Sequence, residues 1–146
     1  MDLSVFEDNN YDFLNHELSD FDVIILGSKS SNTREFEVEN VEIFDMMRKG
    51  GMKVTLLVED GEDVRYIDNR SIVFTLVTII STMAATITIY EFIKDYYEER
   101  EENKGNQDAE PSKFKFKGLI RETGDYINFE GTITEFYDVI ESLEQR

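Results

Sequence analysis

The sequence contains no cysteine and a single histidine, His16, and these two shortages exclude much catalytic chemistry. Without cysteine the chain can form neither disulfides nor thiolate nucleophiles nor cysteine-ligated metal sites. One histidine supplies too few nitrogen ligands for zinc, and no Ser-His-Asp arrangement can be built without His16. We therefore expect a protein that is not an enzyme, with no catalytic residue, no metal and no cofactor.

Basic residues are also scarce. Fifteen lysines and arginines stand against 32 aspartates and glutamates, which gives a net charge of −17. Direct binding of such a chain to the phosphates of DNA or RNA is unfavourable, so no direct nucleic-acid contact is expected. Complementary charge points instead to a basic protein surface as the partner. No lysine or arginine precedes Lys29, whereas secretory signals and transit peptides need early basic residues, so the sequence predicts a cytoplasmic protein.

Proline occurs once, and it lies in the stretch most like a linker. Pro111 stands within a polar loop at 104–112, between the two halves of the chain. At the other end, an acidic segment at 1–20 precedes the first apolar run, FDVIIL at 21–26, which predicts a buried strand ending before a glycine. We therefore divide the chain into an N-terminal acidic segment at 1–20 and a single domain at 21–146.

Periodicity predicts most elements of that domain. A polar loop at 28–33 is followed by a helix over 36–49, where apolar residues recur every three positions up to a basic last turn and Gly50. Alternation over 53–59 and the dipeptide Asp60-Gly61 predict a β-hairpin that returns through 64–66. A second hairpin is expected over 114–118 and 126–129. The spacing of Thr132 and Glu135 predicts a capping box at the start of a C-terminal helix.

The stretch 71–90 holds no charged residue over 20 positions, which is long enough to span a membrane as a helix. Five hydroxyl residues within it step by four or three, which would place them in one stripe along a helix. Two interpretations follow: a long helix at about 71–102 in the centre of a soluble domain, or a membrane span that associates through the stripe. We favour the first because a span would leave two pieces too small to build adequate cores.

The expected fold class is therefore α+β: a single small domain with two β-hairpins and a short strand around a long central helix, in the order β-α-β-β-α-β-β-α. Two stretches resemble chemical motifs but lack essential parts of them. The acidic run at 59–63 lacks the spacing of a calcium loop, and the residues after the first strand, 26–31, lack the adjacent Gly-Lys pair of a phosphate loop.

Aromatic residues interleaved with acids are the remaining candidates for a functional site, because they suit an interface with apolar anchors and a charged rim. The expected partner-binding residues are Glu7, Asp8, Tyr11, Asp12, Phe13, Tyr96, Tyr97, Glu98, Glu99, Glu101 and Glu102. The favoured function is a non-catalytic acidic binding module, such as an inhibitor or adaptor that docks on a basic, nucleic-acid-handling protein. The alternatives are a single-pass membrane-anchored oligomer and a carboxylate-based enzyme; self-association is left open.

Overall fold

The computed structural model describes residues 2–68, 73–104 and 113–145, with the backbone alone for 100–104. It confirms the α+β class. The elements are β1 Val23–Leu26, β2 Ser28–Ser30, β3 Thr33–Glu37, α1 Val38–Lys49, β4 Val54–Leu57, β5 Asp63–Ile67, β6 Phe74–Ile80, α2 Met83–Lys104, β7 Lys113–Ile120, β8 Tyr126–Thr132 and α3 Ile133–Glu144. Three short 3₁₀ stretches precede β1, at Leu3–Asn9, Phe13–Asn15 and Leu18–Asp20.

The strands form two sheets. The larger has five strands in the order β4-β1-β6-β7-β8, and the smaller has three in the order β2-β3-β5. In the larger sheet β1 runs parallel to β4 and β6 parallel to β7, while the β1–β6 and β7–β8 pairs are antiparallel. The middle strand is β6, which has a neighbour on both sides.

The long central helix predicted at 71–102 is wrong for the described residues before Met83. Phe74–Ile80 is the strand β6, and the helix α2 begins only at Met83. The strand is rich in β-branched residues, and Phe74, Leu76 and Ile80 on one face and Ile79 on the other are fully buried, which removes the polar alternation that marks a half-exposed strand. The hydroxyl spacing at 71–86 therefore crosses a strand–helix boundary; residues 71–72 lie outside the described residues.

The strand pairing predicted around Asp60-Gly61 is also wrong, although the turn exists. Gly61 has a φ of +81°, and the Glu62 N–H donates to the Glu59 carbonyl across the turn. The two flanking strands belong to different sheets, since β4 pairs with β1 and β5 pairs with β3. The predicted loop at 28–33 is instead a hairpin of β2 and β3, which turns at Ser31 and Asn32. These corrections change the element order to β-β-β-α-β-β-β-α-β-β-α.

Each face of the larger sheet is covered by a different part of the chain. The three helices cover one face, with Ile43, Ile89, Ile93, Phe136 and Ile140 among the buried residues. The acidic N-terminal segment covers part of the opposite face, where Phe6 is 1% exposed and packs in a cluster with Ile24, Leu26 and Ile79. The N-terminal segment therefore contributes to the core of the fold.

The part of the chain from β7 onward matches the sequence prediction closely. Strands β7 and β8 pair antiparallel, with Phe114 and Phe116 buried and Lys113 and Lys115 exposed. At the start of α3 the Thr132 hydroxyl accepts from the Glu135 N–H while the Glu135 carboxylate accepts from the Thr132 N–H, which is the predicted capping box.

No helix in 2–68, 73–104 or 113–145 combines the length and the apolar character that a membrane crossing requires. The helical span expected as the alternative at 71–90 is wrong for its described part, because Phe74–Ile80 is a strand in the middle of a sheet.

Candidate protein-binding surface

The aromatic residues predicted as N-terminal anchors face inward. Tyr11 and Phe13 are half-buried against the cluster around Phe6, and the Tyr11 and Phe13 ring centroids are 5.5 Å apart. The Tyr11 hydroxyl donates to the Leu57 carbonyl at 2.6 Å and accepts from the Gly27 N–H at 2.9 Å. Burial raises the pKa of Tyr11 to about 12, against the smaller opposing effects of the Gly27 hydrogen bond and of Arg34. Tyr11 therefore holds the N-terminal segment onto the sheet.

Arg34 lies beneath this segment and is completely buried. All five of its N–H groups are used: Nε donates to Glu62 Oε1, Nη1 to the carbonyls of Asn9 and Gly27, and Nη2 to the Asn10 carbonyl and Glu62 Oε2. Its guanidinium carbon lies 3.7 Å from the centre of the Tyr11 ring. A fully satisfied guanidinium has no donor left for a ligand, so this cluster is structural.

Glu62 compensates the charge of Arg34. Burial opposes ionisation of its carboxyl, but hydrogen bonds from Arg34 and the Glu59 N–H, together with the charges of Arg34 and Lys29, hold the pKa of Glu62 below its usual range. Sequence reasoning missed this pair because Arg34 follows a polar stretch and Glu62 stands in an acidic run, and neither context indicates burial.

The N-terminal acids predicted for binding are on the surface. Glu7, Asp8 and Asp12 are exposed, and the Asp12 N–H donates to the Glu59 carboxylate. The structure thus separates the predicted site into exposed carboxylates and partly or fully buried rings. These carboxylates remain candidates for charge recognition, without Tyr11 or Phe13 as protruding anchors.

The second predicted group, on α2, divides in the same way. Tyr96 and Tyr97 are 9% and 2% exposed, and they pack against the ring of Phe74. Both side chains therefore occupy positions on the inner side of α2 and are not exposed aromatic anchors. Glu98 and Glu99 are exposed. The side chains of Glu101 and Glu102 lie outside the described residues.

A pair of tyrosines that the sequence analysis did not single out does reach the surface, where α2 meets α3. Tyr137 on α3 is 47% exposed, and its ring centroid lies 5.6 Å from that of the half-buried Tyr90 on α2. The Tyr90 ring also contacts Phe136, at 6.1 Å between centroids. Tyr137 is therefore an exposed aromatic side chain supported from below by the core.

The two helices that carry this pair also carry exposed carboxylates, of which Glu91 and Glu98 act on Tyr90. We define the tyrosine–acid surface as Tyr90, Glu91, Lys94 and Glu98 of α2 with Tyr137, Asp138, Glu141 and Glu144 of α3. It holds five acids and one base, and the five acids are all exposed. Residues at i, i+4 and i+7 lie on one side of a helix, which places Glu141 and Glu144 in line with Tyr137.

The neighbouring groups affect the pKa of the Tyr90 hydroxyl. Its pKa is raised, first by burial and then by the hydroxyl of Tyr137 and the carboxylates of Glu98 and Glu91, with Lys94 acting in the opposite direction. The cation that acts on Tyr90, Lys94, has its Nζ 4.0 Å from Glu98 Oε1. The surface thus combines aromatic area with a net negative charge.

Two acids of α3, Glu141 and Glu144, lie at the C-terminal end of the helix, where an acidic side chain is unfavourable. A helix C-terminus carries a partial negative charge and favours basic side chains, whereas the last turn of α3 contains Glu141 and Glu144 and no base. Each such acid costs about 0.3–1 kcal/mol at low ionic strength. By contrast α1 ends with Arg48 and Lys49. The end of α3 thus carries two acids against the helix dipole, of which Glu141 accepts a hydrogen bond from Gln145 Nε2.

A groove elsewhere on the molecule has a different character. A groove of about 480 Å³ between α1 and β5 is lined by Val38, Val41, Glu42, Phe44, Asp45, Arg48 and Tyr66. Its charges balance locally, because Asp45 pairs with Arg48 at 2.9 Å and with Lys49 at 2.8 Å. The hydrogen bond from Lys49 and, to a smaller extent, that from Arg48 hold the pKa of Asp45 below its usual range. This groove offers apolar area without net charge.

The chain matches no protein-family model, and no curated protein or solved structure is significantly similar to it. Within the described part of the chain, no three acidic or histidine side chains converge in a way that could hold a metal ion.

Proposed function

We propose that this protein is a non-catalytic binding module that recognises a basic protein surface through the tyrosine–acid surface of α2 and α3. The observation that carries the proposal is the exposed Tyr137 ring, which is supported by Tyr90. The charges of Glu91, Glu98 and Lys94 act on Tyr90, and α3 adds three further exposed acids to this surface. Tyrosine is enriched among the residues that dominate binding energy at interfaces, and charged residues form the rim.

The net charge of the whole chain also favours a basic partner. A protein with a net charge of −17 attracts basic partners over long distances, which speeds their association at low salt. The local pattern then supplies orientation, since a basic partner can place lysine or arginine side chains against Glu91, Glu98 or Glu141 while covering the Tyr137 ring. An arginine is well suited to this arrangement because its guanidinium both pairs with carboxylates and stacks on aromatic rings.

The placement of acids at the end of α3 supports the proposal further. Glu141 and Glu144 oppose the helix dipole, so retaining them is understandable if they contribute to binding instead. A row of carboxylates can also compete with nucleic-acid phosphates for a basic groove. We therefore include an inhibitor or adaptor of a nucleic-acid-handling protein, acting in the cytoplasm, as the form of this function.

The test is capture of the partner from a lysate of the organism that encodes the chain, with three baits compared by quantitative mass spectrometry. The baits are the wild type, a surface variant (Glu91→Gln, Glu98→Gln, Glu141→Gln) and an N-terminal variant (Glu7→Gln, Asp8→Asn, Asp12→Asn). Both variants lose three negative charges. We expect a basic protein that the wild type and the N-terminal variant retain and the surface variant loses. Equal retention by all three baits would contradict the proposed surface, and loss with the N-terminal variant alone would assign binding to Glu7, Asp8 and Asp12.

A further inference from the structure

Strand β5 ends the smaller sheet with an open edge. It pairs with β3 in parallel from Thr33↔Asp63 to Glu37↔Ile67, and no described strand lies on its other side. An edge strand presents unpaired N–H and C=O groups that can pair with another strand. Two large apolar side chains of β5 are also exposed, Val64 at 43% and Tyr66 at 57%. The other end of the same sheet, β2, has three residues with Lys29 in the middle, a short and charged edge of the kind that discourages pairing.

The side chains of β5 alternate between its two faces. Val64 and Tyr66 lie on one face, and Asp63 and Arg65 lie on the other. Arg65 Nη2 is 3.0 Å from Glu35 Oε2 on β3, yet the Arg65 side chain remains 69% exposed and retains donors for a second carboxylate. The charged face of this edge thus carries an acid and a base two residues apart.

Because of this spacing, the charged face of one copy of β5 can complement the same face of a second copy. When two identical strands pair antiparallel about a two-fold axis, one residue faces its own copy at the centre. A centre at Asp63 or at Arg65 would place like charges directly opposite each other, which destabilises a strand pair. A centre at Val64 places Asp63 opposite Arg65 of the partner subunit, and this occurs twice. It also brings Tyr66 diagonally next to Val64 of the partner subunit, which covers the exposed apolar face.

We propose that β5 pairs antiparallel with β5 of a second copy of this chain, in the register centred on Val64. The interface is independent of the tyrosine–acid surface, and salt affects the two in opposite ways. Two chains of −17 repel each other strongly at 0.01 M salt, where the screening length is about 30 Å, and much less at 0.1 M, where it is about 10 Å. Self-association therefore increases with salt, whereas binding of a basic partner decreases.

The absence of cysteine makes the register directly measurable, because a single introduced cysteine can form a disulfide only between two chains. The variants Asp63→Cys, Val64→Cys, Arg65→Cys and Tyr66→Cys are oxidised under identical conditions, with Ser30→Cys on β2 as the exposed control. We expect cross-linking to be fastest for Val64→Cys and to increase with salt. A maximum at position 63 or 65 would overturn the register, and a Val64→Cys rate no higher than that of Ser30→Cys would overturn the pairing.

A charge swap provides a second test with the cysteine-free chain. Asp63→Arg and Arg65→Asp each place like charges opposite each other in the proposed register, whereas the double variant restores the two pairs with reversed sign. We expect sedimentation equilibrium at high protein concentration to show less dimer for either single variant and recovery for the double variant. A double variant as monomeric as the single variants, with circular dichroism unchanged, would contradict the proposal.

Discussion

Arg34 and Glu62 form an ion pair that is almost entirely removed from water, with Nη2 of the guanidinium 3.0 Å from Oε2 of the carboxylate. Their side chains are 0% and 3% exposed. Through the same guanidinium, Arg34 binds the carbonyls of Asn9, Asn10 and Gly27, so the pair joins the N-terminal segment, the end of β1, strand β3 and the turn before β5.

Removing the charge of Glu62 is expected to destabilise the fold substantially. Breaking a buried ion pair leaves the remaining charge uncompensated, which costs about 3–5 kcal/mol. We expect Glu62→Gln to lower the free energy of unfolding in urea by an amount in this range. Asp45→Asn, which breaks the exposed pairs with Arg48 and Lys49, is the control and should unfold like the wild type. A Glu62→Gln curve that overlays the wild-type curve would show that the pair contributes little.

The same pair predicts a dependence of stability on pH. Because the pKa of Glu62 is lower in the folded chain than its ordinary value of 4.5, the unfolded chain takes up this proton first as the pH falls. The contribution of Glu62 is therefore fully present above about pH 4.5 and is lost as the pH falls through the folded-state pKa. We expect the stability difference between wild type and Glu62→Gln to be constant near neutral pH and to shrink below pH 4.5 in urea titrations. A difference that stays constant down to pH 3 would contradict this role.

Substitutions of a core tyrosine, Tyr97, and a surface tyrosine, Tyr137, should have different effects. Tyr97 is buried, packs on Phe74 and donates to the Lys113 carbonyl, so Tyr97→Ala should cost about 3–5 kcal/mol, as for other large core truncations. Tyr137 is about half exposed, so Tyr137→Ala should change thermal stability much less while weakening partner binding. Thermal melts and binding assays on both variants test the assignment. A Tyr137→Ala protein that binds its partner as tightly as the wild type would remove this ring from the interface.

The sequence predicted the elements whose signals are local. The capping box of Thr132 and Glu135 and the alternation of Phe114 and Phe116 with lysines each follow from a few neighbouring residues, and the structure confirms them. The turn at Gly61 was also correctly located. Its strands were misassigned because their partners, β1 and β3, are selected by packing of the whole chain.

The structure of residues 74–80, by contrast, could not be predicted from local sequence signals. A strand in the middle of a sheet with buried side chains on both faces has no polar alternation, so periodicity does not distinguish it from a buried helix. The burial of two predicted binding residues was not evident from the sequence for a related reason. Tyr96 and Tyr97 stand beside acids in the sequence, but the helical turn directs them inward and Glu98 and Glu99 outward. Tyr137 is exposed, but the residues beside it in the sequence are both apolar and acidic, so the sequence pattern did not indicate its exposure.

The acids at the end of α3 predict a variant that is more stable but binds less well. Replacing Glu141 and Glu144 by glutamine removes two charges that oppose the helix dipole, which should raise the free energy of unfolding by about 0.3–1 kcal/mol per residue at low salt. The same variant should lose affinity for a basic partner. Urea denaturation at low ionic strength, with Glu7→Gln/Asp8→Asn as the control for net charge, measures the first effect. Lower stability than the control would mean that Glu141 and Glu144 support the fold.

The most direct measurement of the central claim is the dissociation constant of the captured basic protein at low and high salt. It is measured for the wild type, for the surface variant at Glu91, Glu98 and Glu141, and for the N-terminal variant at Glu7, Asp8 and Asp12. We expect affinity to fall as salt rises. At low salt the surface variant should bind at least tenfold more weakly than the N-terminal variant, a difference of about 1.4 kcal/mol. Equal affinities for the two variants, or an affinity for the wild type that does not change with salt, would contradict the claim.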